Sequence, residues 1–130
     1  MAERRFLNPA ALAAPFGYSH AVDTSATRFI FVSGQVALDA KGELVGEGDF
    51  EAQTRQVFEN LTAALGAAEA SWADVVKIGC YVRDVGEVAA LRAIRDEYVD
   101  TERPPASTLV EVSRLVRDEF LVEIEAIAVV

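Results

Sequence analysis

Cysteine, histidine and positive charge are all scarce in this chain, and each shortage closes off a class of function. The one cysteine, Cys80, has no partner for an intramolecular disulfide. It fits a reducing compartment, and a cytoplasmic location is expected. One histidine, His20, and one cysteine leave only carboxylates as metal ligands, so no metal site is expected. Lys and Arg number 12 against 21 Asp and Glu, a net charge of −9. Phosphate backbones and anionic membrane surfaces select basic proteins, so neither nucleic acid nor membrane is expected as a partner. No run approaches the roughly 18 uninterrupted apolar residues of a spanning helix. Internal repeats, low-complexity tracts and long linkers are also missing. What remains is 52 % hydrophobic, too apolar for disorder. One domain over residues 1–130 with its own core is expected. The N-terminal MAERRFLNPAALAAPFGYSH has two arginines before an alanine-rich stretch, the outline of a signal peptide. That stretch is short, is broken by Asn8 and Pro9, and runs into the first expected strand. It therefore reads as part of the domain.

Hydrophobic periodicity divides the chain. Tyr18 to Val22 reads as a short strand and Arg28 to Gly34 as a stronger one, rich in aromatic and β-branched residues. Asp39 to Gly48 holds three glycines and reads as turns around a short extended piece. The period then becomes helical: Phe50, Thr54, Val57, Phe58, Leu61, Leu65 and Ala68 form one stripe behind an Asp49 N-cap. Gly66 is expected to loosen the last turns, and Ser71 with Asp74 to form a local capping turn. Val75 to Asp84 alternates, with Val76, Ile78, Cys80 and Val82 on one side. A second helix carries Val88, Leu91, Ile94 and Tyr98 and is predicted to run until Arg103-Pro104-Pro105. Two strands, Ala106 to Arg114 and Glu119 to Val129, close the chain.

The last strand is the most informative. Phe120, Val122, Ile124, Ala126, Ala128 and Val130 make an apolar row, the expected core face. The alternate row is Glu119, Leu121, Glu123, Glu125, Ile127 and Val129. Carboxylates amid apolar residues suit neither core nor solvent. They suit a sheet face covered by a second subunit, and such a glutamate is a candidate for chemistry. The element order predicts a two-layer α+β domain with both helices on one sheet face. The other face, with Leu121, Ile127 and Val129, is too apolar to stay bare. A homo-oligomer with sites built from two chains is expected.

Three segments, GYSHAV from Gly17, FVSGQ at Phe31 to Gln35, and the ending PAST…LVEV…VEIEAIAV, resemble the RidA/YjgF (reactive intermediate deaminase) family over nearly the whole chain. The resemblance implies a chorismate-mutase-like α+β fold and a homotrimer with clefts between subunits. It implies no metal or other cofactor. It further implies hydrolysis of small imines or enamines, such as 2-aminoacrylate, to a keto acid and ammonia. Carried over by position, the water-positioning glutamate falls on Glu123, the cleft tyrosine on Tyr18 and the substrate-contacting backbone on Gly34. Thr108 is expected to add a hydrogen bond. The position of the carboxylate-binding arginine holds Ser107. Losing a charge-assisted contact worth roughly 1.5–3 kcal/mol should weaken carboxylate binding at least about tenfold. Arg92 aligns with a helix position often held by asparagine and is a further substrate-binding candidate.

The enzyme reading is therefore a Rid-like deaminase with altered substrate choice. Its alternatives are a ligand-binding or regulatory trimer without turnover, and a pathway-specific catalyst of another reaction. His20 reads first as a hydrogen-bonded structural residue, Cys80 as a packing residue, and Glu125 as structural. Were Glu123 and Glu125 close and buried together, one would be pushed toward protonation.

Overall fold

A computed structural model describes residues 3–130. Its elements are β1 (Glu3–Leu7), β2 (Ala21–Ser25), β3 (Phe29–Gln35), α1 (Phe50–Ala67), β4 (Val75–Val82), α2 (Val88–Arg95), β5 (Ala106–Glu111) and β6 (Val122–Val129). β1 and β2 pair as a separate antiparallel sheet. The main sheet has the order β3-β6-β4-β5, antiparallel except for the parallel β4–β5 pair. Both helices pack on one face of this mixed sheet, as the element order predicts. None of the described helices is long and apolar enough to cross a membrane.

The core follows from the two periodicities. Val57, Phe58, Leu61 and Leu65 of α1 meet Ile78, Cys80 and Val82 of β4 and Val122, Ile124, Ala126 and Ala128 of β6. Asp49 caps α1 by accepting the Ala52 N–H at 3.0 Å. Gln53 was missing from the predicted stripe, yet it is buried. Its amide donates to the Gly46 and Glu119 carbonyls at 3.0 and 2.9 Å, and its oxygen accepts the Leu121 N–H at 2.9 Å. One buried amide thus satisfies three backbone groups and fixes the entry to β6. At its C-terminus α1 ends in a Schellman motif, with the Ala70 N–H on the Leu65 carbonyl and the Glu69 N–H on that of Gly66. The left-handed residue is Glu69, at φ +59°, not the nearby Gly66.

Four sequence expectations need correction. The first strand of the chain is the charged β1. Its Arg4 donates to Asp74 and to the Val129 carbonyl, both at 2.8 Å. The strand expected at Tyr18 begins instead at Ala21, because Ser19 is tied to the start of β5: its N–H meets the Pro105 carbonyl at 3.1 Å and its hydroxyl the Pro104 carbonyl at 2.6 Å. In β4 a register shift between Val75 and Lys77 turns Val75 inward in place of Val76. α2 stops at Arg95, far short of Arg103. Beyond it the chain tightens into turns, with the Glu97 N–H on the Ile94 carbonyl at 3.0 Å and the Tyr98 N–H on that of Arg95 at 2.9 Å. Asp100 then accepts the N–H groups of Glu102 and Arg103 at 2.9 and 3.3 Å. Tyr98, released from the helix, stacks on Phe58 at 4.9 Å.

The face away from the helices is apolar in part, but of Leu121, Ile127 and Val129 only Ile127 borders the bare surface. Val129 is 1 % exposed, and Leu121 packs against the core. The bare apolar surface belongs to Phe29 and Phe31, which are 58 % and 74 % exposed, with Ile127 directly beside Phe31.

Candidate functional site

On the open face of the sheet, β6 and β4 align side chains by register. Glu123 stands opposite Tyr81, and Glu125 opposite Gly79. Thr108 of β5 follows beside Gly79. Gly79 leaves room for the Glu125 carboxylate, since a Cβ there would lie 2.7 Å from Oε2. The Tyr81 hydroxyl donates to that oxygen at 3.0 Å, which raises the phenol's pKa because the hydroxyl serves a carboxylate. Lys77 reaches Thr108 Oγ1 at 3.3 Å.

β3 approaches Glu123 from the other side. Its register moves from Val32–Ala126 to Gln35–Ile124, so β3 carries one extra residue there. Gly34 lies in this bulge. A Cβ on Gly34 would overlap Glu123 Oε2 and sit 2.9 Å from Cδ, so the carboxylate lies against bare backbone that only glycine provides. Glu123 has no side-chain hydrogen bond within the described residues. Its pKa is raised above the ordinary carboxylate value, first by burial and then by the negative charge of Glu125. The carboxyl therefore gives up its proton less readily and takes one back more readily, the behaviour needed to relay a proton to and from water. Glu125, by contrast, has a donor within the chain in the Tyr81 hydroxyl.

The remaining predicted residues lie on the reverse side. Ser107 registers with Ile78, a core residue, and so points to the helix side of β5. There a cavity of about 360 Å³ is lined by Tyr18, Ser107 and Arg92 together with Phe16, Cys80, Leu91, Arg95 and Leu109. Ser19, anchored to β5, holds Tyr18 over the cavity. Arg92 is exposed and sits over the Phe16 ring, 5.6 Å from its centroid. His20 meets the Tyr18 ring edge-on and shares a 2.6 Å hydrogen bond between Nε2 and the Ala13 carbonyl, a structural use of the ring. Cys80 is buried, and desolvation pushes its thiol up to about 12 against the opposing pull of the Arg95 guanidinium. It packs, as expected.

Arg95 itself was missed. It lies four residues after Leu91 and three after Arg92, so the periodic signal was present but a charge hid it. Within the chain the candidates thus form two groups: Gly34, Thr108 and Glu123 on the open face, and Tyr18, Arg92 and Ser107 on the helix side. No group of three or more His, Cys, Asp or Glu among the described residues is placed to hold a metal ion.

Comparison with known proteins bears on what these groups serve. The model of the family described as Endoribonuclease L-PSP matches residues 8–130. A RutC family protein of Pyrococcus horikoshii is 47 % identical over 116 residues, covering 88 % of each chain. The 2-iminobutanoate/2-iminopropanoate deaminase of Salmonella typhimurium is 38 % identical over 102 residues, 77 % of this chain and 78 % of that one. Among solved structures, a protein of unknown function of the conserved Rid family from Yersinia pestis superposes with a TM-score of 0.87 at 39 % identity, covering 98 % of both chains.

Proposed function

We propose, from the premise that this chain belongs to the RidA/YjgF family, that it hydrolyses a small imine or enamine in a site shared between two copies of itself. The kind of reaction is supported by the deaminases among its relatives. The observation that carries the reading is the Glu123 carboxyl, raised in pKa and laid against the Gly34 backbone. In the proposed reaction, water adds to the carbon of a C=N bond while Glu123 takes its proton. The substrate reacts as the iminium, which an enamine reaches by taking a proton at its terminal carbon. The carbinolamine nitrogen then receives the proton held by Glu123, ammonia leaves, and the hydroxyl proton passes to it as the carbonyl forms. One water is consumed and one ammonia released, with no redox change. A carboxyl of raised pKa serves both halves, as base and then as acid.

β-sheet geometry supports the sharing. Neighbouring residues in a strand point to opposite faces, so a small ligand touching Glu123 cannot reach Ser107 in the same chain. A second copy seated on Phe29, Phe31 and Ile127 would cover the bare apolar surface and bring its own helix-side cavity toward this chain's Glu123. A homotrimer is the assembly proposed, and no cofactor is called for. Ser107 gives β5 no charge at the substrate, which is the basis for an altered substrate range. The test is ammonia release from 2-aminoacrylate generated in situ. Turnover that falls with Glu123→Gln supports the reading. Saturable binding of a small metabolite with no turnover of any imine would replace it with the ligand-binding alternative. Turnover equal to that of an arginine-containing relative would remove Ser107 as a cause of substrate choice.

A further inference from the structure

The helix-side cavity has more positive charge than the protein uses. In a chain of net charge −9, its lining holds two arginines and no carboxylate. Arg92 is exposed, whereas Arg95 is only 6 % exposed. A guanidinium so far removed from water needs compensation. Arg95 has one partial source: its Nε and Nη2 both donate to a single oxygen of Asp96, at 3.1 and 3.0 Å. Asp96 is itself half exposed, which weakens the pair. Nη1 has no hydrogen-bond partner among the described residues, and it is not sealed in the protein either. The one edge of the fork left unspent therefore belongs to a residue lining the cavity.

The fork is also held still. Gly17 lies against it with φ at +72°, and a Cβ there would overlap Nη2 and stand 3.2 Å from Cζ. Asp96 fixes one edge and Gly17 the face, so little side-chain entropy is left to lose on binding. The rest of the lining combines the hydroxyls of Tyr18 and Ser107 with the aliphatic side chains of Leu91 and Leu109. A preset planar donor, two hydroxyls and a short apolar wall describe a receptor for a small organic acid.

We infer that Arg95, on α2, binds the carboxylate of a small aliphatic acid in this cavity, with Asp96 orienting it and Arg92 as an outer, weaker contact. Positive charge absent from β5 at Ser107 is thereby supplied from the helix above it. The inference deepens the deaminase reading and rests on it for the identity of the acid, but not for the existence of the anion site.

Calorimetric titration of the full-length protein with 2-oxobutanoate, the keto acid that hydrolysis of 2-iminobutanoate leaves, tests it directly, with butan-2-one as the uncharged control. The acid should bind and the ketone should not. Arg95→Gln should weaken the acid at least about tenfold, the loss of one charge-assisted contact, and Arg92→Gln less than about threefold. Unchanged affinity in Arg95→Gln, or equal binding of the ketone, overturns the inference. Should circular dichroism show that Arg95→Gln does not fold, the wild-type protein supplies the readout. The Arg95 Nε–H resonance should then shift during the titration more than that of any other arginine, and a stationary resonance overturns the assignment. Acid binding through Arg95 without ammonia release would sink only the deaminase reading. Ammonia release with KM unchanged in Arg95→Gln would sink only the role given to Arg95.

Discussion

The two faces of the main sheet carry opposite charge chemistry on the same strands. Toward the open side β6 presents Glu123 and Glu125, with Gly34 and Gly79 cleared of side chains to receive them. Toward the helices, the sheet backs onto a cavity whose ionised groups are Arg92 and Arg95. The carboxylates sit on regular strands, where position is set by register. The arginines sit on a short helix beside Phe16 and Gly17, where position is set by packing and one ion pair. Acid–base chemistry gains from the first arrangement, because a proton relay tolerates little displacement. Anion binding tolerates the second, because charge attraction falls off slowly with distance.

Several experiments would break or sharpen that contrast. The largest effect is expected from Glu123→Gln, which keeps the shape and removes the titratable proton. Imine hydrolysis should fall at least about 100-fold in kcat, and initial rates with little change in KM would confirm a role in the chemical step. Next comes complementation. Glu123→Gln chains, impaired in turnover, and Arg95→Gln chains, impaired in substrate binding, are denatured together, refolded as mixed oligomers and assayed well below KM, where both defects lower the rate. If one copy supplies the carboxyl and another the arginine, random mixing should restore roughly a quarter of wild-type sites. No recovery would mean that both groups serve the same chain's site. Third, Gly34→Ala should lower kcat about tenfold through displacement of Glu123 and cost about 1–3 kcal/mol of stability through overpacking, read by initial rates and urea denaturation.

The smallest effect is on stability against pH. The Glu123 pKa is raised in the folded protein, so folding favours the protonated carboxyl. Stability from this group is complete below its unfolded pKa and declines as pH rises through the folded value. Glu123→Gln should therefore be more stable than wild type near neutrality and equal to it in acid. Denaturation curves that stay parallel from acid to neutral pH would remove the buried-carboxylate account of Glu123.

Much of this was legible in the sequence, and the gaps have physical causes. The stripe of α1 and the alternation of β6 carried the fold, because each buries one face and the period shows. The glutamate on the wrong face of β6 was visible for the same reason. β1 was invisible because ERRFL gains its place through Arg4's bonds to Asp74 and Val129, which lie far away in sequence. α2 ends early in tighter turns, with the Glu97 and Tyr98 N–H groups on the Ile94 and Arg95 carbonyls, a change of local geometry that side-chain periodicity does not register. Ser107 was read as a substrate contact; the parity of β5 puts it on the helix side of its own chain, away from Glu123, which periodicity alone did not show. Arg95 escaped because a charge on the apolar side of a helix reads as solvated until burial shows otherwise.

Cys80 has a practical consequence. The only thiol of the chain is buried and held protonated, with a pKa pushed up to about 12. The folded protein therefore presents no thiolate to alkylating reagents at neutral pH. A cysteine introduced beside Phe31 or near Arg92 would be the single reactive position on a silent background. Spin labels or fluorophores could then measure distances between copies with no prior removal of native thiols. Slow labelling of Cys80 itself would report, by its rate, how often the cavity wall opens.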